Sequence, residues 1–461
     1  MKTFFRATML IILTLTLTTC ATAQAGNATT GTGATTAAQL AAALNAMNEG
    51  SARASGDTVT LTRNVGVQGN LTVPAGVTLE LTGDSGIWIQ RDNVTLTVNG
   101  TVNTPSNRIG FDSGSSARTM IINGNGTINL TGKGHLLVIG EGRKLTLDGV
   151  TLVGIADNNQ PLVGAYDGGE LVMVSGAITG NSRTSDEWAS GGGVEVGNGG
   201  TFTLSGGVIS GNSARESGGG VHINNATFIM SGGTISGNSV IGDRTHGSSG
   251  GGVGVNDGGT FTMSGGTITD NSAYNGGGVR LGWEKGTFTM TGGAITGNTA
   301  RESGGGISMW YGATSIMEGG EISGNSAGYG GGIDVNEGTT FTMKGGTISG
   351  NTAGGGGGVS SSGGSIFSME GGAISGNSAT QQGGGVSLSI KGVNFTMKGG
   401  TIYGASAQGG NANTAPNGAA ISNETTARWG TGGTYTRGGV NQSGGGNIAS
   451  TNDTLIAIPA R

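Results

Sequence analysis

Three short patterns of apolar and polar positions recur along most of this chain, always in the same order. The first is an apolar–x–apolar step after a run of glycines: Val194/Val196, Val221/Ile223, Val253/Val255, Val279/Leu281 and Ile333/Val335. The second is Phe-Thr-Met or a close variant: Phe202/Leu204, Phe228/Met230, Phe261/Met263, Phe288/Met290, Phe341/Met343, Phe367/Met369 and Phe395/Met397. The third is a single aliphatic residue flanked by Thr, Ser or Ala. It stands at Ile128, Leu152, Ile178, Ile209, Ile235, Ile268, Ile295, Ile322, Ile348, Ile374 and Ile402, a unit of about 26 residues. Alternation with period two over so few residues predicts short strands with one buried face. A fixed period of this length predicts a solenoid. Longer units around "NSRTSDEWASGGG" after Asn181 and "NSVIGDRTHGSSGGG" after Asn238 locate insertions, which loops absorb and strands do not.

Three short strands per coil joined by glycine-rich turns predict an all-β fold, a right-handed parallel β-helix over residues 57–404. Inward positions stack like on like, and Thr and Ser suit the exposed strand positions. Asn follows the aliphatic residue by three in coil after coil, at Asn181, Asn212, Asn238, Asn271, Asn298, Asn325, Asn351 and Asn377. A carboxamide both donates and accepts, so this row predicts a structural ladder that satisfies turn backbone groups. A stacked sheet needs closed ends. Residues 34–50 predict a capping helix, with Thr36 and Gln39 as a capping box, Leu40, Leu44 and Met47 on one face, and Gly50 at the end. Residues 405–461 predict an irregular closing coil, since the repeat decays after Tyr403.

Composition narrows the classes. Of 461 residues 102 are Gly, but without the every-third-residue period of collagen. With 34% hydrophobic residues and a net charge of -5, the chain is neither a disordered polyampholyte nor a nucleic-acid binder. Residues 1–25 have a basic start, an apolar run from Met9 to Leu17 and small residues after it, which predicts an export signal. "LTTC" at Leu17–Cys20 resembles a bacterial lipobox, which makes Cys20, the only cysteine, a candidate for lipidation. The expectation is therefore an exported, secreted or cell-surface protein, a monomer, touching a membrane only through such a lipid.

The repeats resemble the pectin-lyase-like superfamily of β-helices, and most of all the repeats of polymorphic outer-membrane proteins and related bacterial surface proteins. The motif "GGAI" stands at Gly292–Ile295 and Gly371–Ile374, whereas the family's Phe-x-x-Asn is replaced by an Ile-to-Asn step, as in Ile295 and Asn298. Many members carry a C-terminal β-barrel translocator, which this chain is not expected to hold. The resemblance implies an adhesin-like or structural binding role without catalysis, toward a glycan or a host or matrix protein. The alternative it implies is a polysaccharide lyase or glycoside hydrolase.

Candidate chemistry lies on the apolar–x–apolar strand, whose outward residues are Glu195, His222, Gly254, Arg280, Ser308, Asp334, Ser360 and Ser387. Glu195 and His222 are neighbours and could pair. Arg280 and Asp334 are two coils apart, roughly 10 Å at the strand spacing, too far for a direct pair. The row reads as a solvated face with incidental charge, and no catalytic residue is assigned. Trp283, Trp310 and Tyr311, flanked by Arg280 and Glu284, form the candidate binding patch, because aromatic and Arg clusters dominate binding energy. The duplicated "ARESGGG" at Ala214–Gly220 and Ala300–Gly306 reads as repeat copying. His135, His222 and His246 lack ligand spacing, so neither a metal nor another cofactor is expected.

Overall fold

The computed structural model describes residues 33–114, 117–185, 188–242, 250–282, 285–389, 393–423, 428–429, 434–437, 440–443 and 451–458. One helix, α1 (Ala37–Met47), precedes an all-β solenoid. Thr36 caps the helix by accepting from the Gln39 amide at 3.3 Å. The Gln39 carboxamide accepts in return from Thr35, at its amide (2.8 Å) and its hydroxyl (2.9 Å), so the reciprocal box closes one residue earlier than the pattern suggests. Leu40 and Leu44 are fully buried against the first coil, together with the antiparallel hairpin Ala52–Ser55/Thr58–Leu61. The end of the stack is thus covered by apolar side chains and a paired strand.

Beyond the hairpin, strands of successive coils pair in parallel. The aliphatic row is in register from Ile128 opposite Leu152 to Ile374 opposite Ile402. All of these side chains are fully buried. Phe202, Phe228, Phe261 and Phe288 stack with ring centroids 4.9, 4.7 and 4.7 Å apart. Ser315 then replaces the ring opposite both Phe288 and Phe341, and the stack resumes through Phe367 and Phe395. The Phe-Thr-Met and aliphatic strands together make a 30-stranded sheet, here the long sheet, and the apolar–x–apolar strands make an 11-stranded one.

A fourth strand per coil was not expected. After each Asn turn, two to five residues stay extended and pair into an eight-stranded parallel sheet running from Ser182–Arg183 to Ser378–Gln382. The Asn ladder sets up this turn. From Asn212 to Asn377 each Asn amide N–H donates to the carboxamide oxygen of the next Asn, and each Nδ2 donates to that same oxygen and to a carbonyl of an earlier coil, as at Asn271. The ladder runs past the eight predicted members, to Asn158 at one end and Asn413 at the other.

The triple-glycine turns show why no other residue fits. Gly304 has φ of +65°, and a Cβ on Gly305 or Gly306 would stand 2.4 or 2.6 Å from a carbonyl oxygen of the next coil. The C-terminal segment is more ordered than the fading repeat suggests. Ile421–Asn423 continues the 11-stranded sheet. Leu455–Ile458 turns antiparallel against Thr401 and Ile402 and pairs with Thr434–Arg437, which itself pairs with Val440–Ser443. Arg428–Trp429 still adds in parallel at Asn394 and Phe395, but at Thr401 and Ile402 the antiparallel strand occupies the edge that a next coil would use.

Candidate polar groove

Glu195 is half-buried, and from His222 to Ser387 the outward row of the 11-stranded sheet is not solvated. Its side chains are the floor of a groove and are covered: His222 is 4% exposed, Arg280 2%, Ser308 0%, Asp334 2%, Ser360 4% and Ser387 3%. The reason lies in the fourth strand. The eight-stranded sheet meets the 11-stranded sheet at the triple-glycine turn, and the residue just before the glycines rises as one wall. Asn275, Ser303, Tyr329, Gly355 and Gln382 are in register along that wall. The residue just after each apolar–x–apolar strand forms the other wall: Trp310, Asn336, Ser362 and Ser389. Each coil therefore gives the groove residues i, i+5 and i+7 around Gly-Gly-Gly. Examples are Ser303, Ser308 and Trp310, then Tyr329, Asp334 and Asn336.

Two recesses interrupt this groove. The first, about 370 Å³, is lined by Ser303, Trp310, Tyr329, Asp334, Ser360 and Gln382 among others. Arg280 and Asp334 make no direct ion pair here, but they are linked. The Arg280 guanidinium donates from Nη1 to the Ser308 hydroxyl at 2.8 Å and Ser308 meets the Ser303 hydroxyl at 3.2 Å; Ser303, which donates to Asn275 Oδ1 at 2.9 Å, and Ser360 stand beside the Asp334 carboxylate and favour its charged form. Burial pushes the Asp334 carboxyl up to about 7 despite the nearby Arg280 charge, and burial lowers Arg280 to about 10. Asp334 Oδ2, Arg280 Nε and Trp310 Nε1 are buried without hydrogen-bond partners.

The second recess, about 330 Å³, is lined by Arg183, Trp188, Glu195, Glu216, His222 and Asp257 among others. Glu195 does not pair with His222. Its carboxylate takes the Arg183 guanidinium at 3.0 Å and the Tyr166 hydroxyl at 3.4 Å, and His222 Nδ1 meets Ser217 Oγ at 3.2 Å. Arg183 also donates to the Ser190 carbonyl. Burial raises the Glu195 carboxyl above its ordinary range and raises the Tyr166 phenol as well. Burial likewise holds His222 neutral, at about 4.

The predicted aromatic patch divides. Trp283 and Glu284 lie outside the described residues, as do Cys20 and residues 1–25. Arg280 does not flank an exposed surface; it is buried with Trp310 over it, guanidinium carbon to ring centroid 5.2 Å. Tyr311 is 44% exposed at a turn with φ of +57° and tilts against Trp310 at 6.1 Å. Repeat copying does not account for several groove residues. The duplicated "ARESGGG" places Glu216 and Ser217 in one recess and Glu302 and Ser303 in the other. Among the described residues no cluster of His, Cys, Asp and Glu is placed to hold a metal ion, and no helix is long and apolar enough to cross a membrane. No family model, curated protein or solved structure matches this chain.

Proposed function

We propose that this chain is an exported β-helix that binds an extended glycan along the groove, an adhesin-like role without catalysis, as a monomer that reaches a membrane only through a lipid on Cys20. One observation carries the reading. Coil after coil contributes polar side chains to one face, and its floor positions from His222 to Ser387 are buried although they face away from the apolar core. A solenoid presents such a site rigidly, so ordering costs on binding are small. A polymer with a repeating unit meets a repeating set of donors and acceptors. Nucleic acid is disfavoured, because the chain is acidic overall and has no basic stripe. The test is retention of the purified protein on a panel of immobilised polysaccharides and matrix proteins. Retention on a glycan supports the reading, and retention on none of them overturns it.

The recess around Glu195 favours a second reading, a polysaccharide lyase or glycoside hydrolase of the pectin-lyase-like kind. It brings three carboxylates, an Arg and a neutral His to one place, and glycoside hydrolysis needs two carboxylates, one held protonated. Incubation with the retained polysaccharide distinguishes the readings. New reducing ends or unsaturated products that disappear in Glu195→Gln favour catalysis; intact polymer favours binding alone.

A further inference from the structure

The recess between Trp310 and Tyr329 lies four to seven coils from Glu195, and its chemistry differs. Among the described residues no lysine or arginine lines it. Its polar groups are serine hydroxyls, carboxamides and the carboxylates of Glu302 and Asp334. Trp310 stands on one wall and Tyr329, 52% exposed, on the other. Arg280, the cation that acts on Asp334, is buried beneath Trp310 and tied to Ser308, so it is not presented to a ligand.

We propose that this recess is a subsite for an uncharged, polyhydroxylated sugar ring of a neutral glycan. The proposal rests on the groove-binding reading and narrows its substrate class. Three arguments support it. A buried acceptor left without a donor is destabilising, and Asp334 Oδ2 is such an acceptor. A sugar hydroxyl donates and accepts at once, so it matches a wall of serines and carboxamides where either role is open. The two aromatic walls suit the apolar C–H faces of a sugar ring, while the hydroxyls at its edge reach the floor. A uronic acid or sulfated sugar brings a like charge toward the Glu302 carboxylate, and none of the described residues lining the recess is a cation. An apolar ligand leaves the hydroxyls and Asp334 unpaired. The volume, about 370 Å³, falls in the range of small-ligand sites.

The experiment is affinity electrophoresis of the exported protein in native gels. Separate gels contain galactomannan or hydroxyethyl cellulose (neutral), polygalacturonate or alginate (acidic), or chitosan (cationic). The expected result is retardation in a neutral gel and none in the acidic or cationic gels. Asp334→Asn keeps the shape of the floor while changing its charge and donor pattern, and it should weaken retardation by at least about tenfold. Ser387→Phe, which fills the floor, should abolish retardation. Lys344→Ala, on the long sheet, should leave it unchanged. Gln382→Ala and Ser389→Trp act on the walls and carry the test if a floor variant fails to fold. Binding to a neutral polymer that survives all of these changes overturns the subsite and leaves the groove reading standing. Retardation by acidic polymers or chitosan alone does the same. Retardation by no polymer overturns the subsite and the groove reading together.

Discussion

Replacing Asn298 with alanine tests whether the Asn row holds the turns together. Asn298 Nδ2 donates to the Ile268 carbonyl (2.9 Å), the Asn325 carboxamide oxygen (3.0 Å) and the Thr296 carbonyl (3.1 Å). Its own Oδ1 accepts from the Asn271 amide and from Asn271 Nδ2, both at 3.0 Å. Two protons on Nδ2 serve three acceptors, so four full hydrogen bonds are at stake. At about 1 kcal/mol net each, their loss costs about 4 kcal/mol. Asn271, Asn298 and Asn325 are at most 1% exposed, so water does not replace the missing partner. Asn298→Asp keeps the acceptor for Asn271 but turns an oxygen toward Asn325 Oδ1, and should cost at least as much. Thr299→Ala, one residue on and exposed, is the control and should stay within about 0.5 kcal/mol. Guanidinium unfolding by circular dichroism gives the midpoints, and hydrogen exchange reads the Asn271 amide directly. A stack of repeats need not unfold in one step, so the exchange measurement keeps the comparison local. If Asn298→Ala and Thr299→Ala lose the same stability, with no faster exchange at Asn271, the ladder argument is wrong.

Three further outcomes follow from the same geometry. Phe288→Ala removes a buried ring stacked on Phe261 at 4.7 Å and should cost about 3–5 kcal/mol, against about 0.5 kcal/mol for outward Thr289→Ala; equal unfolding midpoints would contradict the face assignment. Burial holds His222 and His135 at about 4 in the fold, below an unfolded value near 6.5. The unfolded chain therefore binds the proton first, and each histidine takes away up to roughly 3 kcal/mol as pH falls from about 6.5 to about 4. Asp334, raised to about 7 against an unfolded value near 3.9, acts with the opposite sign and adds stability over the same fall. Midpoints at pH 7, 5.5 and 4.5 should show His222→Gln more acid-tolerant and Asp334→Asn less so than the wild type; parallel pH curves for all three would refute this. Labelled palmitate should enter the wild-type protein and be absent from Cys20→Ser if Cys20 carries a lipid, whereas an unlabelled wild type rules the anchor out.

The solenoid was legible because its rule is local. Ile235, Ile268 and Ile295 stand opposite one another since the same residue recurs at the same turn, and a one-residue slip would turn each of them to solvent. Asn271 and Asn298 follow by the same spacing. The groove was not legible from periodicity, which separates the core-facing side of a strand from the other side. Whether that other side meets water depends on what folds beside it. Arg280 and Asp334 are covered by Ser303 and Tyr329, from a fourth strand that carries no apolar alternation, and by Trp310, just past the floor strand. The roughly 10 Å backbone separation of Arg280 and Asp334 was sound as geometry. It did not foresee that Ser308 and Ser303 would link them. The missed signal was the residue before each Gly-Gly-Gly, where Ser217 and Ser303 each meet a floor residue five positions on.

Hydroxyl-radical footprinting with and without the retained glycan tests the central claim most directly, because it reads side chains where they stand. The groove account expects Tyr329 and Trp310 to become protected, and Trp188 too if the polymer reaches the second recess, while Ile229 and Ile366 on the long sheet keep their reactivity. Protection of Ile229 and Ile366 with Tyr329 and Trp310 unchanged would place the ligand on the Thr-rich faces and contradict the account.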